Sequence, residues 1–378
     1  MKVHLLGDSR VQAGASHHSR FYSGWGEPLR MFFDKETEIL NFSVGGRSSR
    51  SYINEGRFTD NGLFTKDMVP QGMGPALPQI SEGDYVLIQF MYNDDDSIGC
   101  SYRVNKHVWL GDPDENGIYP TVVPTDEMRR PTEEWSNGYE EALAAEGYDD
   151  DKIKTIMETT EELMGLVGDT YHPFDSGATY KGYLKFYIDK IREKGANPIL
   201  VISGVAYFFT DGIIAPVPGF GGGRDDYNDF PYPEAIRQLG KEENVPVIDL
   251  FSAEKSLYEA LGEEKALYLH NISVVQGDVR NIDRAVSTDA KNDMDNWLEE
   301  YNTRMETKDY SAKDLVHKNR FGAFFEAAEV VDAMYAQGIL TEHILKIPSG
   351  FPGLPAGLEG DEKLLESHLK HIKPFDMR

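Results

Sequence analysis

The stretch Met1-Lys-Val-His-Leu-Leu-Gly-Asp-Ser-Arg10 decides the fold. Residues 3–7 form a short apolar run that ends in a Gly-Asp-Ser turn, the pattern of a buried first strand feeding a loop. Runs of the same kind recur at 38–44 (EILNFSV), 85–90 (YVLIQF), 198–203 (PILVIS) and 246–250 (PVIDL). They are continuous rather than alternating, as parallel strands covered on both faces must be. Helical patterns lie between them. In 180–194, Tyr183, Leu184, Tyr187, Ile188 and Ile191 recur at i, i+1, i+4, i+5 and i+8, an apolar stripe that Gly195 terminates at C′. A further helix is read at 322–334. Strand, helix, strand in succession predicts a three-layer α/β fold with right-handed crossovers.

Five βα units occupy about 200 residues, since their connections are short. The chain has 378. The surplus reads as insertions at about 94–178, 205–232 and 263–308 within a single domain over 1–345, with 346–378 as a C-terminal extension. The single Cys, Cys100, excludes an intrachain disulfide framework and a CxxC zinc or redox site, and reads as a small buried hydrophobe. Sixty-four acidic against 38 basic side chains give a formal charge of −26. That balance argues against nucleic acid or an anionic membrane as the main partner. No run approaches the roughly 18 apolar residues of a membrane helix, and the N-terminus lacks a secretory h-region. The expected location is the cytoplasm, or outside the cell if a leader has been cut away. Oligomeric state is not readable.

GxxxxGK[ST], HExxH and GxSxG are absent, and Gly219-Phe-Gly-Gly-Gly-Arg224 fails GxGxxG at its last position. What remains is a constellation. Ser9 directly follows the first strand, where α/β proteins place ligands and where a hydroxyl suits a nucleophile. Alone, Gly-Asp-Ser is weak, since it arises by chance in roughly one chain in ten of this length. Val44-Gly-Gly-Arg-Ser-Ser49 follows another strand; Gly45 or Gly46 there could turn an amide toward a developing oxyanion. Asn93, after the third strand, could add a side-chain donor. Asp314 and His317, three apart at the expected start of an amphipathic helix, supply a base and a group that orients it.

These four blocks resemble the SGNH (GDSL-like) hydrolase superfamily. Residues 43–57 (SVGGRSSRSYINEGR), 83–90 (GDYVLIQF), 195–201 (GANPILV) and 314–317 (DLVH) are similar to rhamnogalacturonan acetylesterases of carbohydrate esterase family 12. The likeness covers 1–94, 180–204, 233–252 and 310–340. It implies a three-layer α/β/α sandwich on a five-stranded, flavodoxin-like parallel sheet. It also implies Ser9 as nucleophile, His317 as base and Asp314 as its partner, with the Ser9 and Gly46 amides and the Asn93 side chain as oxyanion donors. No cofactor or metal is implied. The expected activity is removal of O-acetyl groups from a carbohydrate, a pectic one by resemblance. The alternatives are an acyl hydrolase on longer esters and a glycan-binding protein with a degenerate site.

One departure bears on substrate. The family has Phe-Gly-His-Asn-Asp around the Asn, and Met91 and Tyr92 stand here in place of the Gly and His. A pectic backbone is a polyanion, so a chain at −26 must meet it with local positive charge. Arg10, Arg47, Arg50 and Arg57 in the motif loops are the candidates, with internal ion pairs as the competing reading. Tyr102, Trp109, Tyr119, Trp135, Tyr139, Phe208, Phe209 and Tyr227 in the insertions could stack on sugars or anchor their own loops. Asn93-Asp-Asp-Asp96 lacks the spacing of a calcium loop and reads as a solvated cap.

Overall fold

Continuous apolar runs suit parallel strands covered on both faces, and five of the strands form such a sheet. The computed structural model describes residues 1–13, 21–59, 74–94, 106, 108–125, 140–141, 143–144, 147–155, 157–158, 178–214, 231–273, 297–310 and 312–373. The strands are β1 (Lys2–Gly7), β2 (Glu38–Asn41), β3 (Tyr85–Gln89), β4 (Asn197–Ile202), the short β5 (Phe209–Thr210) and β6 (Ile213–Ile214), and β7 (Val247–Asp249). β1, β2, β3, β4 and β7 form an all-parallel sheet in the order β2-β1-β3-β4-β7, the flavodoxin-like order, with helices around it. β5 and β6 make a separate antiparallel hairpin. Its two turn residues, Asp211 and Gly212, both have positive φ (52° and 79°), which matches the twist of a tight hairpin.

The chain divides into two compact units. One comprises Met1–Gly45, Val201–Ala215 and Ile248–Arg378, the other Gly46–Leu200 and Pro216–Val247. In the first, β1 pairs with β2 from Lys2 opposite Glu38 to Leu5 opposite Asn41. β2 ends three residues before the predicted strand does, because the Asn41 side chain accepts from the Ser43 amide and turns the chain. Backbone bonds from Phe42 to Leu5 and from Val44 to Gly7 nevertheless continue the pairing. A second sheet joins β8 (His270–Ser273) antiparallel to β9 (Ala312–Lys318). Asp314 and His317 therefore stand on a strand, not at the start of a helix.

The helix begins after them. Asn319 caps the run Arg320–Ala336 by accepting from the Gly322 amide at 2.8 Å. This helix is not amphipathic: Phe321 through Val331 are all buried, Glu326 and Glu329 included. A helix buried all round belongs in a core. Gly322 is required there, since a Cβ would lie 2.0 Å from the Leu269 carbonyl oxygen. Phe324 packs against Phe32, their tilted rings 5.0 Å apart.

In the second unit β3 pairs with β4 from Tyr85 opposite Asn197 to Ile88 opposite Leu200. The long helix Tyr180–Glu193 buries the predicted stripe of Tyr183, Leu184, Tyr187, Ile188 and Ile191, and Gly195 follows it with φ +73°. Tyr187 packs 4.5 Å from Phe58 and donates to the Ser49 carbonyl. Part of the first insertion is bound onto this helix. Thr179 donates to the Pro120 carbonyl, the Tyr180 amide to the Trp109 carbonyl, and the buried Lys181 ammonium to the Tyr119 carbonyl and Glu242.

Gly182 faces that inserted segment so closely that an added Cβ would sit 1.7 Å from the Val122 carbonyl oxygen. Helix preference alone would make Gly182→Ala stabilising by about 1 kcal/mol. A backbone clash cannot be relieved by a rotamer, so the expected outcome is a loss of about 1–3 kcal/mol in unfolding free energy. A gain measured by denaturant unfolding would contradict this packing.

Candidate active site

Ser9 emerges from the end of β1 into a tight turn in which the Val11 and Gln12 amides both donate to the Asp8 carbonyl. The Arg10 amide donates to Asp8 Oδ1 at 2.9 Å. The Tyr22 hydroxyl donates to the Ser9 carbonyl, a role its burial protects by raising the phenol well above its ordinary pKa. With its main chain held on both sides, Ser9 presents Oγ to the imidazole of His317. Oγ and Nε2 are 2.8 Å apart.

On β9 the Asp314 side chain accepts from the Val316 and His317 amides and meets His317 Nδ1 at 2.9 Å. Asn271 donates to the same oxygen, Oδ2, at 3.1 Å. Burial pushes the Asp314 carboxyl upward, but the hydrogen bonds and charge of His317 and the Asn271 amide outweigh this and hold it well below the carboxylate range. An ionised carboxylate only accepts, so Nδ1 carries the ring proton and Nε2 is left to accept from Ser9 Oγ–H. Tyr22 lies edge-on to the His317 ring at 5.4 Å.

Behind these residues is a buried polar layer that sequence reading missed. Arg10 is 2 % exposed. Its guanidinium donates to the carbonyls of Val205 and Val316, both at 3.0 Å, and pairs with Glu326 at 2.8 Å and Glu254 at 3.3 Å. Lys318 pairs with Glu254 at 2.8 Å and donates to the Tyr258 hydroxyl. Tyr258 meets His270 Nε2 at 2.7 Å, and His270 Nδ1 lies 3.1 Å from the Asp314 carbonyl. Burial, aided by the Lys318 and Arg10 charges, drives the His270 pKa well below its ordinary value, so the ring is neutral. A carbonyl can only accept; His270 therefore donates from Nδ1 and takes the Tyr258 proton at Nε2.

The two glycines after β2 differ. The Gly45 amide donates to Gln12 Oε1, and a Cβ on Gly45 would lie 3.4 Å from Ser9 Cβ. Gly46 has φ +74°, a left-handed conformation natural to glycine, and a Cβ there would lie 3.4 Å from Lys106 Nζ. Asn93 is 9 % exposed in the turn after β3. Its neighbour Asp94 is fully buried and accepts from the Ser49 amide at 2.9 Å and from the Ser49 hydroxyl, so it caps a helix. Asp95 and Asp96 lie outside the described residues.

No family model matches the chain. The Bacillus subtilis (strain 168) rhamnogalacturonan acetylesterase RhgT is 24 % identical over 266 residues, 70 % of this chain and 72 % of that protein. The protein of the same organism called probable rhamnogalacturonan acetylesterase YesY is 24 % identical over 272 residues, 72 % of this chain and 80 % of its own. The chain is similar to proteins named rhamnogalacturonan acetylesterase. Proteins so named are carboxylic ester hydrolases. A crystal structure from Bacillus subtilis is 18 % identical and covers 89 % of this chain and 57 % of its own, at a TM-score of 0.45.

Of the arginines in the motif loops, most serve the protein itself. Arg10 is committed as described, Arg57 is buried and pairs with Glu55, and Arg50 is buried. Arg47 pairs with Glu55 at 3.0 Å but leaves 31 % of its side chain exposed. Met91 is wholly buried and Tyr92 nearly so. Among the insertion aromatics Trp109 is 40 % exposed, Tyr119, Phe208 and Phe209 are half-buried, and Tyr102, Trp135, Tyr139 and Tyr227 lie outside the described residues. So do Cys100 and the 219–224 glycine run. No described helix is long and apolar enough to cross a membrane.

Asp8 titrates in an informative range. Burial raises its carboxyl to about 6 against the opposing Arg10 amide and the Arg10 and His317 charges. A raised acid favours the fold while protonated; its contribution is complete below the ordinary value of 3.8 and is lost as pH rises through about 6. Asp8→Asn cannot ionise. Its stability relative to wild type is expected to climb between pH 4 and 8 by up to about 3 kcal/mol. Unfolding free energies at the two pH values measure this, and identical pH slopes for both proteins would exclude Asp8 as the titrating group.

Proposed function

We propose that the chain removes O-acetyl groups from a pectic, rhamnogalacturonan-type carbohydrate through a serine acyl-enzyme. The observation that carries the reading is the run of hydrogen bonds from Ser9 Oγ through the His317 ring to Asp314. Ser9 Oγ attacks the acetyl carbonyl while His317 Nε2 takes its proton. The depressed Asp314 carboxyl stays ionised and stabilises the imidazolium that forms. The tetrahedral oxyanion is met by the Ser9 and Gly46 amides and the Asn93 side-chain amide. Gly46 is preferred to Gly45 because the Gly45 amide is committed to Gln12. Collapse expels the sugar oxygen, which receives the proton from His317. Water, deprotonated by the same ring, then releases acetate.

The names of the curated relatives support rhamnogalacturonan as the substrate. Arg47, half-buried against Glu55 in the loop that carries Gly46, is the arginine we assign to a uronate carboxylate. Met91 and Tyr92, being buried, act on substrate only through the shape of what covers them.

Acetate release from acetylated rhamnogalacturonan, xylan and chitin-type oligosaccharides tests the reading. Release from the first, and none from any with Ser9→Ala, is expected. Asp314→Asn should lower kcat by about 10⁴-fold, and Asn93→Ala by about 100-fold. Undiminished turnover by Ser9→Ala would sink the mechanism, and release from xylan alone would move the substrate away from pectin.

A further inference from the structure

We propose that Arg10, Glu254 and Lys318 form a buried clamp that positions Ser9 against His317; this rests on the esterase reading above. Arg10 follows Ser9 directly in sequence, and Lys318 follows His317. Both cations close on one carboxylate, Glu254, at 3.3 and 2.8 Å. Arg10 also grips the other flank of the imidazole residue, through the Val316 carbonyl at 3.0 Å. His317 is thus bracketed: the residue before it hangs from Arg10, the residue after it from Glu254, and Arg10 is the nucleophile's own neighbour.

The planar guanidinium fork suits this, since it aims several donors in fixed directions from one rigid group. Space for the clamp is made by Gly204, where a Cβ would lie 2.0 Å from Glu254 Oε2 and 2.7 Å from Glu326 Oε1. Arg10, Glu254, Glu326 and Lys318 are all under 4 % exposed. Stability is a poor reason for such a group, because burying ions costs about as much as their attraction returns and an apolar replacement of equal volume would hold the core at least as well. Fixed geometry is the better one. Misplacing a reacting group by about 1 Å can cost about 100-fold in rate.

Three variants test the clamp with 4-nitrophenyl acetate as the probe, with kcat expressed per folded molecule from circular dichroism melts. Arg10→Lys keeps the charge but loses the fork; kcat should fall by about 10- to 100-fold with KM unchanged within about twofold. Lys318→Met releases one flank while leaving Arg10 on Glu254, and should cost roughly tenfold in kcat. Lys318→Arg, which can still reach Glu254, should restore most of that loss. A purely structural role would lower the melting temperature and leave kcat per folded molecule alone. If Lys318→Met folds and retains kcat within twofold, the clamp is wrong, whatever Arg10→Lys does; if Arg10→Lys also folds with full kcat, the result is doubly so. The two readings fail separately: an active Ser9→Ala removes the esterase mechanism, whereas an inactive Ser9→Ala beside fully active clamp variants removes the clamp alone.

Discussion

Ser9 Oγ and His317 Nε2 are 2.8 Å apart although 308 residues separate them in the chain. At that separation covalent connectivity contributes almost nothing to holding two groups together, and the loop-closure entropy must be met by packing. The first unit supplies it. β1 delivers Ser9 at the end of a strand buried from Val3 to Gly7, and β9 delivers His317 on a strand anchored to β8, with the helix Arg320–Ala336 buried immediately beyond. Bonds made by the residues next to Ser9 and His317, rather than by these two alone, join the segments.

The parts of this arrangement that were legible in the sequence are those written in neighbouring residues. Five continuous apolar runs gave the parallel sheet, and the stripe from Tyr183 to Ile191 gave the long helix. Ser9 was readable because the run before it is short and ends abruptly. Asp314 and His317 were found as a pair, but their setting was misread. An Asp and a His three apart suit the first turn of a helix, and they equally suit a strand in which the Asp side chain collects the next two free amides. Spacing alone does not separate the two. The helix signal at Phe321-Gly-Ala was real; its cap, Asn319, is one of many Asn residues until Gly322 is seen to donate to it.

The buried polar layer was illegible for a different reason. Arg10 lies 244 residues from Glu254 and 316 from Glu326. In an acidic chain, scattered Arg, Lys and Glu look like solvated surface, and only the fold reveals which are removed from water. The same blindness affected the charge argument. Arginines in the motif loops looked like a patch for a polyanion, yet Arg10, Arg50 and Arg57 are interior groups, and the net charge of −26 is relieved at the surface far less than their positions in the sequence suggest.

The line of hydrogen bonds from Lys318 through Tyr258 and His270 to the Asp314 carbonyl runs in one direction only. It begins at an ammonium, which can only give, and ends at a peptide oxygen, which cannot hold a proton. Such a line does not relay a proton to His317, because its last acceptor, the Asp314 peptide oxygen, has none to pass on. The proton that His317 Nε2 exchanges with Ser9 Oγ therefore has no outlet along this line, which holds the strand behind the ring without sharing its proton.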